Sequence, residues 1–246
     1  MNIILSPAKT MKMDTDTMLC RSVPVFLEEA KAIHSRLKQQ SYEEIKKIWN
    51  CSDRLAEENY ERLHTLYPDN HLTPALFAYE GIQYQYMAPR VFTESQFQYV
   101  ERHLRILSGF YGILKPFDGV MPYRLEFGAK IKIDGYKNLY DFWGDKLYID
   151  LTKQDHVIIN LASKEYSKAV EPFLESGDQF INCVFGELSE DRIKVKATLA
   201  KMARGEMVRY LSDIKAERIE QIKEFQALDF SFDRKRSTET ELVFLR

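Results

Sequence analysis

The chain has 246 residues, 45% of them hydrophobic, and a formal net charge of -2. This length and apolar content allow a substantial core. The near-neutral charge excludes a protein whose whole surface is basic, so any nucleic-acid site must be a local patch. The three cysteines form no closely spaced pair, which is typical of a reducing compartment. There is no secretory leader and no apolar run of about 20 residues, so we expect a cytoplasmic protein without a membrane partner.

The N-terminal half of the chain alternates predicted helices with short strands. Ser41 and Glu44 form a capping-box pattern at the start of one helix, and Thr93 with Gln96 forms a second. Apolar residues at helical spacing indicate the other helices, and short apolar runs indicate the strands. The predicted elements are a strand at 3–5, helices over 24–40, from 41, over 52–66 and from 93, and a strand over 75–79.

Residues 107–128 combine turn-forming residues with many aromatic ones. Gly109 and Gly112 lie three apart between apolar residues, as expected where the chain turns sharply or something approaches its backbone. Further glycines and prolines interrupt regular structure after them, yet the aromatic residues are too numerous for a mobile surface loop. We interpret this segment as an ordered loop that lines a cleft.

The C-terminal half is richer in predicted strands. The predicted elements are a helix over 138–151, a strand over 156–161, a helix over 164–173, a hairpin of 180–187 with 192–196, helices over 197–210 and 216–225, and a hairpin of 228–232 with 241–244. Because strands and helices are interspersed throughout, the sequence predicts an α/β fold. We expect a single mixed-sheet domain over 1–246 with surrounding helices, in which 22–70 is a candidate helical sub-lobe.

Residues 160–170 follow the clearest buried strand and open a helix. The junction of a strand with a helix N-terminus is where α/β proteins commonly bind anions. Ser163, Lys164, Glu165 and Lys168 lie near this junction. The alternative is an ordinary helix cap with solvated charges, which is the commoner case for an arbitrary junction.

Residues 192–209 form a basic stretch that contains six lysines and arginines and one acidic residue, Glu206. Such a strand and helix could contact several phosphates without reading sequence. Gly205 costs roughly 1 kcal/mol relative to alanine within a helix, which is understandable if another backbone or a ligand packs closely there. A solvated charged face is the alternative interpretation.

The sequence contains none of the common metal or nucleotide motifs. The five histidines show no ligand spacing, and GxxxxGK, GxGxxG and GxSxG patterns are missing. We therefore expect no metal and no cofactor. Lys9, in the loop after the first strand, is compatible with a catalytic amine or a phosphate ligand.

Five motifs, taken together and in this order, resemble the YaaA family of bacterial peroxide-stress proteins. They are LSPAKT at 5–10, LSGFYGILKP at 107–116, PYRLE at 122–126, NLASKEY at 160–166 and Ala203-Arg204-Gly205. The resemblance implies a cytoplasmic protein needed under hydrogen peroxide stress and linked to limiting free iron. It also implies a family-specific fold that binds DNA through a positively charged cleft and a helix-hairpin-helix element, for which residues 107–112 are the best candidate. It establishes no enzymatic activity.

The first hypothesis is a DNA-binding protein of the oxidative-stress response that contacts the backbone of duplex or branched DNA without sequence specificity. We expect a monomer, although the sequence does not fix the oligomeric state. The residues assigned to the DNA contact are Lys9, Gly109, Gly112, Arg124, Lys164, Lys168, Lys201 and Arg204.

The alternative hypothesis is an enzyme that acts on a nucleotide or a DNA base by a glycosidase-like reaction. Lys9 would supply a cation, and Glu126 or Glu165 would act as general acid or base. Convergence of these three residues in a pocket too narrow for a duplex favours the enzyme, and an open groove favours DNA binding. Direct iron binding ranks last, because histidine, cysteine and carboxylate ligands are not clustered in the sequence.

Overall fold

Helices and strands alternate along the chain in the computed structural model, which describes residues 1–70 and 72–246. The helices are α1 Leu27–Lys38, α2 Tyr42–Trp49, α3 Asp53–Thr65, α4 Ala75–Ala78, α5 Ile82–Met87, α6 Glu94–His103, α7 Leu139–Trp143, α8 Lys146–Thr152, α9 Lys164–Ser167, α10 Ala197–Ile214 and α11 Ile219–Ile222, with 3-10 turns at Pro89–Val91 and Glu171–Phe173. The strands are β1 Asn2–Leu5, β2 Thr10–Met11, β3 Thr73–Pro74, β4 Tyr79–Glu80, β5 Leu104–Ser108, β6 Gly112–Leu114, β7 Gly119–Val120, β8 Val157–Leu161, β9 Gln179–Ser189, β10 Arg192–Lys194, β11 Ser231–Phe232 and β12 Glu241–Leu245.

An eight-stranded mixed sheet forms the centre of the fold, in the order β11-β12-β9-β8-β1-β5-β6, with β10 paired to β9 outside this row. The five strands from β12 to β5 run parallel to one another, and antiparallel β11 and β6 flank them. Ile3, Ile4 and Leu5 of β1 are all fully buried, as expected for a strand covered on both faces. The predicted α/β fold with a mixed sheet is confirmed.

The three consecutive helices α1 to α3 correspond to the candidate sub-lobe. Their buried side chains, such as Ile33 and Ile45, belong to the same hydrophobic cluster as the strands of the sheet. The treatment of residues 22–70 as a separate sub-lobe stays a prediction.

The carboxyl ends of β1, β5 and β8 meet at one edge of the sheet. β1 lies between β5 and β8, so the chain after β1 leads to β5 on one side of it and later forms β8 on the other side. In α/β sheets this arrangement opens a crevice at the ends of the strands. Ser6 follows β1 directly, and its Oγ accepts a hydrogen bond from the Ser163 backbone N–H at 2.8 Å. The ends of β1 and β8 are thereby joined at the base of the crevice.

Several elements match their sequence signals closely. Both capping boxes are present, at Ser41 for α2 and at Thr93 for α6. β9 and β10 form the predicted hairpin, and β11 pairs with β12 as the predicted terminal hairpin. Local polar patterns thus identify these helix starts and strand pairs.

Other predicted elements are wrong or shorter than expected. The strand over 75–79 is instead the buried helical turn α4, flanked by two-residue strands. Gly144, with φ of +50°, interrupts the helix over 138–151 and separates α7 from α8. The helix after Ser163 ends at Ser167, and the Ser163 side chain does not cap it because its hydroxyl faces Ser6 at 3.3 Å. The first long helix begins at Leu27 rather than at residue 24. The helix predicted over 216–225 is shorter and consists of α11 alone.

Residues 107–112 form a strand–turn–strand hairpin rather than a helix-hairpin-helix, so that prediction is wrong. The turn amides of Phe110 and Tyr111 donate to Ser108 Oγ at 3.1 and 2.8 Å. Gly109 and Gly112 are buried: a Cβ on the first would stand 2.9 Å from the Leu125 carbonyl oxygen, and the second, with φ of +76°, packs against Trp143. Both glycines therefore face protein, and their assignment to the DNA contact stays a prediction.

Candidate functional site

A cleft of about 310 Å³ opens at the carboxyl end of the sheet. Ser6 and Ser163 lie where β1 and β8 end, the Lys9 loop and the start of α5 provide further walls, and α10 contributes Lys201 and Arg204. We call this the central cleft. Its lining residues are Ser6, Pro7, Ala8, Lys9, Thr10, Glu80, Gly81, Ile82, Gln83, Glu126, Ser163, Glu165, Tyr166, Lys201 and Arg204.

A second cavity of about 350 Å³ adjoins the central cleft, because both are lined by Lys9, Glu126 and Glu165. We call it the side compartment. Its remaining lining residues are Ile48, Trp49, Asn50, Arg124, Leu125, Gly128 and Ala129. The end of α2 and the loop at 122–129 therefore contribute to the same site as the strand ends.

Close packing of α10 on α5 brings the basic helix to the cleft. A Cβ on Gly205 would clash with the Gln83 carbonyl oxygen and lie 2.9 Å from the Met87 backbone nitrogen. The expectation that another backbone packs at Gly205 is confirmed. Because residues three and four apart share a helix face, Lys201 and Arg204 lie beside this contact and border the cleft.

The α5 side of the cleft is fixed by buried hydrogen bonds to the end of β1. Gln83 Nε2 donates to the Ser6 carbonyl oxygen at 2.9 Å, and the Tyr84 hydroxyl donates to the same oxygen at 3.1 Å. The strand end and the helix are thus held in register, which gives the cleft a rigid floor.

Two carboxylates and one amine meet where the two cavities join. Lys9 Nζ lies 2.8 Å from Glu126 Oε2. Glu165 Oε1 accepts a hydrogen bond from the Gly128 backbone N–H at 2.9 Å, and the Tyr140 hydroxyl donates to the Glu165 carbonyl oxygen at 2.8 Å. Glu165 is therefore held at its backbone and at one carboxylate oxygen, a geometry suited to acid–base chemistry.

Arg204 is a half-buried cation without a counter-charge. Its Nε is buried and has no hydrogen-bond partner, and no carboxylate in residues 1–70 and 72–246 forms an ion pair with it. Burial lowers the pKa of Arg204, which reflects the cost of removing the guanidinium from water. An unpaired buried charge is strongly unfavourable, so an anionic ligand in the cleft would stabilise this arrangement.

Tyr166 presents a hydroxyl group to the central cleft. The residue is 7% exposed, and its hydroxyl makes no hydrogen bond to any of the residues that the structure describes. Burial raises the pKa of Tyr166, with nearby tyrosines and Glu165 adding to the effect. The hydroxyl therefore stays protonated and available as a donor.

The structure brings together most of the predicted site residues. Lys9, Arg124, Glu126, Glu165, Lys201 and Arg204 all line the central cleft or the side compartment. Lys164 instead forms an exposed ion pair with Glu171, and Lys168 is exposed outside both cavities. The short α9 turns these two lysines outward, so they do not line the cleft, and their assignment to the DNA contact stays a prediction.

The strand part of the basic stretch also lies outside the cleft lining. Lys194 donates to Ser189 Oγ at 2.9 Å, and Lys196 pairs with Glu187 at 2.7 Å. The charges of the two cavities are mixed, with four cations (Lys9, Arg124, Lys201, Arg204) and three carboxylates (Glu80, Glu126, Glu165) in their linings. The arrangement therefore suits a ligand with both a phosphate group and neutral polar groups.

Sequence analysis missed Tyr166, Gln83 and Trp49 as lining residues. Tyr166 stood within the 160–166 motif, where an aromatic residue is more often a core residue. Gln83 and Trp49 lie in helices far from any motif, and no local signal distinguishes them. Only the packing of α5 and α2 around the strand ends brings them to the site.

The described part of the chain shows neither a candidate metal cluster nor a candidate membrane-spanning helix. No group of three or more histidine, cysteine, aspartate or glutamate side chains there is placed to hold a metal ion. Among the same residues, no helix combines the length and the apolar character required to cross a membrane.

Comparison with known proteins identifies the family. The model of the family described as peroxide stress protein YaaA matches residues 1–236. A UPF0246 protein of Limosilactobacillus reuteri is 52% identical over 245 residues, covering 99% of this chain and 98% of the relative. UPF0246 proteins of Desulfitobacterium hafniense and Pediococcus pentosaceus are 51% and 49% identical over 246 residues, each covering 100% of this chain and 98% of the relative. The resemblance drawn from the five motifs is confirmed: the chain belongs to the YaaA family of peroxide stress proteins.

Proposed function

We propose that the protein serves the peroxide response as a DNA-binding protein that holds the phosphate backbone at the mouth of the central cleft and admits one nucleotide unit into it. Arg204 carries the proposal. Its guanidinium is half-buried, its Nε has no partner in the described structure, and phosphate matches the bidentate fork of a guanidinium. Lys201, exposed three residues earlier on the same helix face, adds a second phosphate contact.

The size of the cleft determines how DNA is held. A volume of about 310 Å³ is in the range of small-molecule sites, so the cleft accommodates a nucleotide but not the width of a duplex. Proteins that reach a base draw its nucleotide out of the stack, at least cost where the DNA is unpaired or damaged. We therefore expect single-stranded, bubble or branched DNA to bind more tightly than intact duplex.

Contacts of this kind carry no sequence information, because phosphate contacts position a protein without reading bases. Binding of exposed or damaged strands fits a role in limiting iron- and peroxide-dependent damage to DNA. That role is the physiological consequence we expect, and it needs no metal ligand in the protein.

The salt dependence of DNA binding tests the proposal. Arg204→Gln removes one phosphate contact, so the slope of log affinity against log salt should fall by about 1 and the affinity should fall for all sequences alike. Lys194→Gln is the matched control, since it removes a basic residue of the same stretch that lies outside the cleft. Equal slopes and affinities for the two variants would exclude Arg204 from the DNA contact.

A second candidate function is hydrolysis of the glycosidic bond of the bound nucleotide. The convergence of Lys9, Glu126 and Glu165 at one nucleotide-sized cleft supports it. In such a reaction one carboxyl group activates water and an acid protonates the leaving base. Glu165, held through Oε1 by the Gly128 amide, is the candidate base, and Glu126 is the candidate acid. The Tyr166 hydroxyl, whose pKa burial raises, stays protonated and is a candidate hydrogen-bond donor to the leaving base.

Release of free base from nucleotides and from single-stranded oligonucleotides tests this function. We expect Glu165→Gln to abolish release while DNA binding is retained. Glu171→Gln, which alters a carboxylate outside the cleft, should leave release unchanged. Base release that persists in Glu165→Gln would exclude Glu165 as the base. Release that is missing from the parent protein with every substrate would reject catalysis and leave binding as the function.

A further inference from the structure

We propose that the side compartment is a second anion subsite, so that the preferred ligand carries two separate phosphate groups, one on each side of the Lys9–Glu126 pair. This inference rests on the proposed function, which assigns the first phosphate to Arg204. It adds a second recognition element and narrows the ligand to a strand with consecutive phosphates or to a nucleoside bisphosphate.

Arg124 is a cation of the side compartment without a counter-charge. Its Nε is buried and makes no hydrogen bond, and no carboxylate in the described ranges forms an ion pair with it. Arg124 in the side compartment therefore lacks a counter-charge, as Arg204 does in the central cleft. Since buried charges in proteins are normally paired, each arginine marks a place where a ligand anion completes the structure.

Trp49, on a different element of the chain, is a second donor without a partner. Trp49 is the last residue of α2, is 6% exposed, and lines the same compartment as Arg124. Its Nε1 is also buried without a partner. Native proteins leave few buried donors unsatisfied, so two such donors from separate elements at one cavity indicate an acceptor supplied from outside.

The boundary between the two cavities carries two carboxylates and one cation. Glu126 and Glu165 are shared by both linings and would repel a phosphate placed between them. Lys9 Nζ offsets Glu126 at 2.8 Å, and the Gly128 amide donates to Glu165 at 2.9 Å. Two anions are therefore accommodated at the two ends, beside Arg124 and Arg204, with a neutral sugar between them at the boundary.

The backbone at the end of α2 offers no competing donor. The Asn50 backbone N–H turns back to the Lys46 carbonyl oxygen at 2.9 Å, with Asn50 in a left-handed conformation at φ of 44°. The donors that the compartment offers to an anion are thus side chains, chiefly Arg124 and Trp49. This makes single substitutions informative.

Calorimetric titration with three probes tests the inference. The probes are thymidine 5′-monophosphate, thymidine 3′,5′-bisphosphate and 5′-phosphorylated dithymidylate. For the parent protein we expect the two ligands with two phosphates to bind about tenfold more tightly than the monophosphate, the equivalent of one charge-assisted contact. Equal affinities for all three would overturn the second subsite.

Variants separate this inference from the proposed function. Arg124→Gln should weaken the two ligands with two phosphates about tenfold more than it weakens the monophosphate, whereas Arg204→Gln should weaken all three ligands alike. Trp49→Phe, which keeps the ring and removes the N–H, should reduce the advantage of the second phosphate in part. Arg124→Lys, which keeps the charge, should restore part of it and shows that the loss in Arg124→Gln is not unfolding.

The two ways of failing are distinguishable. Equal weakening of monophosphate and bisphosphate binding by Arg124→Gln overturns the second subsite and leaves the first intact. Failure of the parent protein to bind any of the three probes, or unchanged binding in Arg204→Gln, overturns the proposed function itself. Tighter binding of dithymidylate than of the bisphosphate identifies a nucleic-acid strand as the source of the second phosphate, and the reverse order identifies a free nucleotide.

Discussion

Substitution of Gly205 by alanine should destabilise the protein although it improves helix propensity. The added Cβ would meet three backbone atoms of α5, including the Gln83 carbonyl oxygen and, at 2.9 Å, the Met87 nitrogen. Backbone atoms cannot rotate away as a side chain can, so α10 must move from α5. Overpacking of this kind costs about 3 kcal/mol, and the propensity gain offsets about 1 kcal/mol.

The net loss of about 2 kcal/mol should lower the melting temperature by roughly 4–8 °C for a domain of this size. Gly177→Ala is the matched control, because a Cβ added there would meet no atom within 4 Å beyond its chain neighbours, and it should leave stability unchanged or slightly raised. Thermal and urea unfolding of both variants provide the measurement. A Gly205→Ala protein as stable as the parent would refute the account of the α10–α5 contact.

The same substitution should also weaken phosphate binding, because α10 carries Lys201 and Arg204 and α5 carries Gln83 at the cleft. A shift of one helix against the other changes the distance between these groups. Phosphate affinity that is unchanged in a destabilised Gly205→Ala protein would show that the cleft tolerates movement of α10.

Three further predictions concern pH, thiol reactivity and helix capping. Burial lowers the pKa of His34 and His103 below the ordinary 6.5, so below that pH the unfolded chain binds protons that the folded chain does not. The free energy of unfolding from urea titrations should fall on acidification, by at most about 1.4 kcal/mol per pH unit for each histidine; a flat profile from pH 7 to 5 contradicts this. Burial raises the pKa of Cys183 to about 12. In the native protein, iodoacetamide should therefore label the partly exposed Cys51 and spare Cys183. Equal labelling rates of the two thiols, measured by mass spectrometry, would contradict the burial of Cys183. Thr93→Ala removes the N-cap of α6 and should cost about 1 kcal/mol in urea unfolding, whereas an unchanged midpoint would mean that the cap adds nothing.

The parts of the fold that the sequence predicts are those specified by local chemistry. Ser41 with Glu44 and Thr93 with Gln96 satisfy each other's backbone groups within one helical turn, so their patterns suffice. Residues 75–78 were misassigned because a short apolar run fits a buried strand and a buried helical turn equally well. Their helical state follows from contacts with distant segments.

In the candidate site, too, the sequence predicts the residues that stand in local motifs but not the features that depend on long-range packing. Lys9, Arg124, Glu126, Glu165 and Arg204 stand in the family motifs, and the structure brings them to one region. The direction in which a lysine on a short helix points depends on where that helix ends, so the sequence does not show that Lys164 lies outside the cleft lining. The hairpin assignment failed because the glycine pattern of a buried β-turn resembles that of a phosphate-binding loop.

Nuclear magnetic resonance of the arginine side chains tests the central claim most directly. In protein labelled with ¹⁵N-arginine, Arg204→Lys assigns the Arg204 Nε–H signal, and single-stranded DNA is then titrated. The account predicts a large shift for Arg204, whose Nε lacks a partner, and none for Arg36, whose Nε donates to the Lys132 carbonyl oxygen at 3.2 Å outside the cleft. An Arg204 signal that stays in place at saturating DNA, or that moves no more than that of Arg36, would contradict the claim that this cleft binds phosphate.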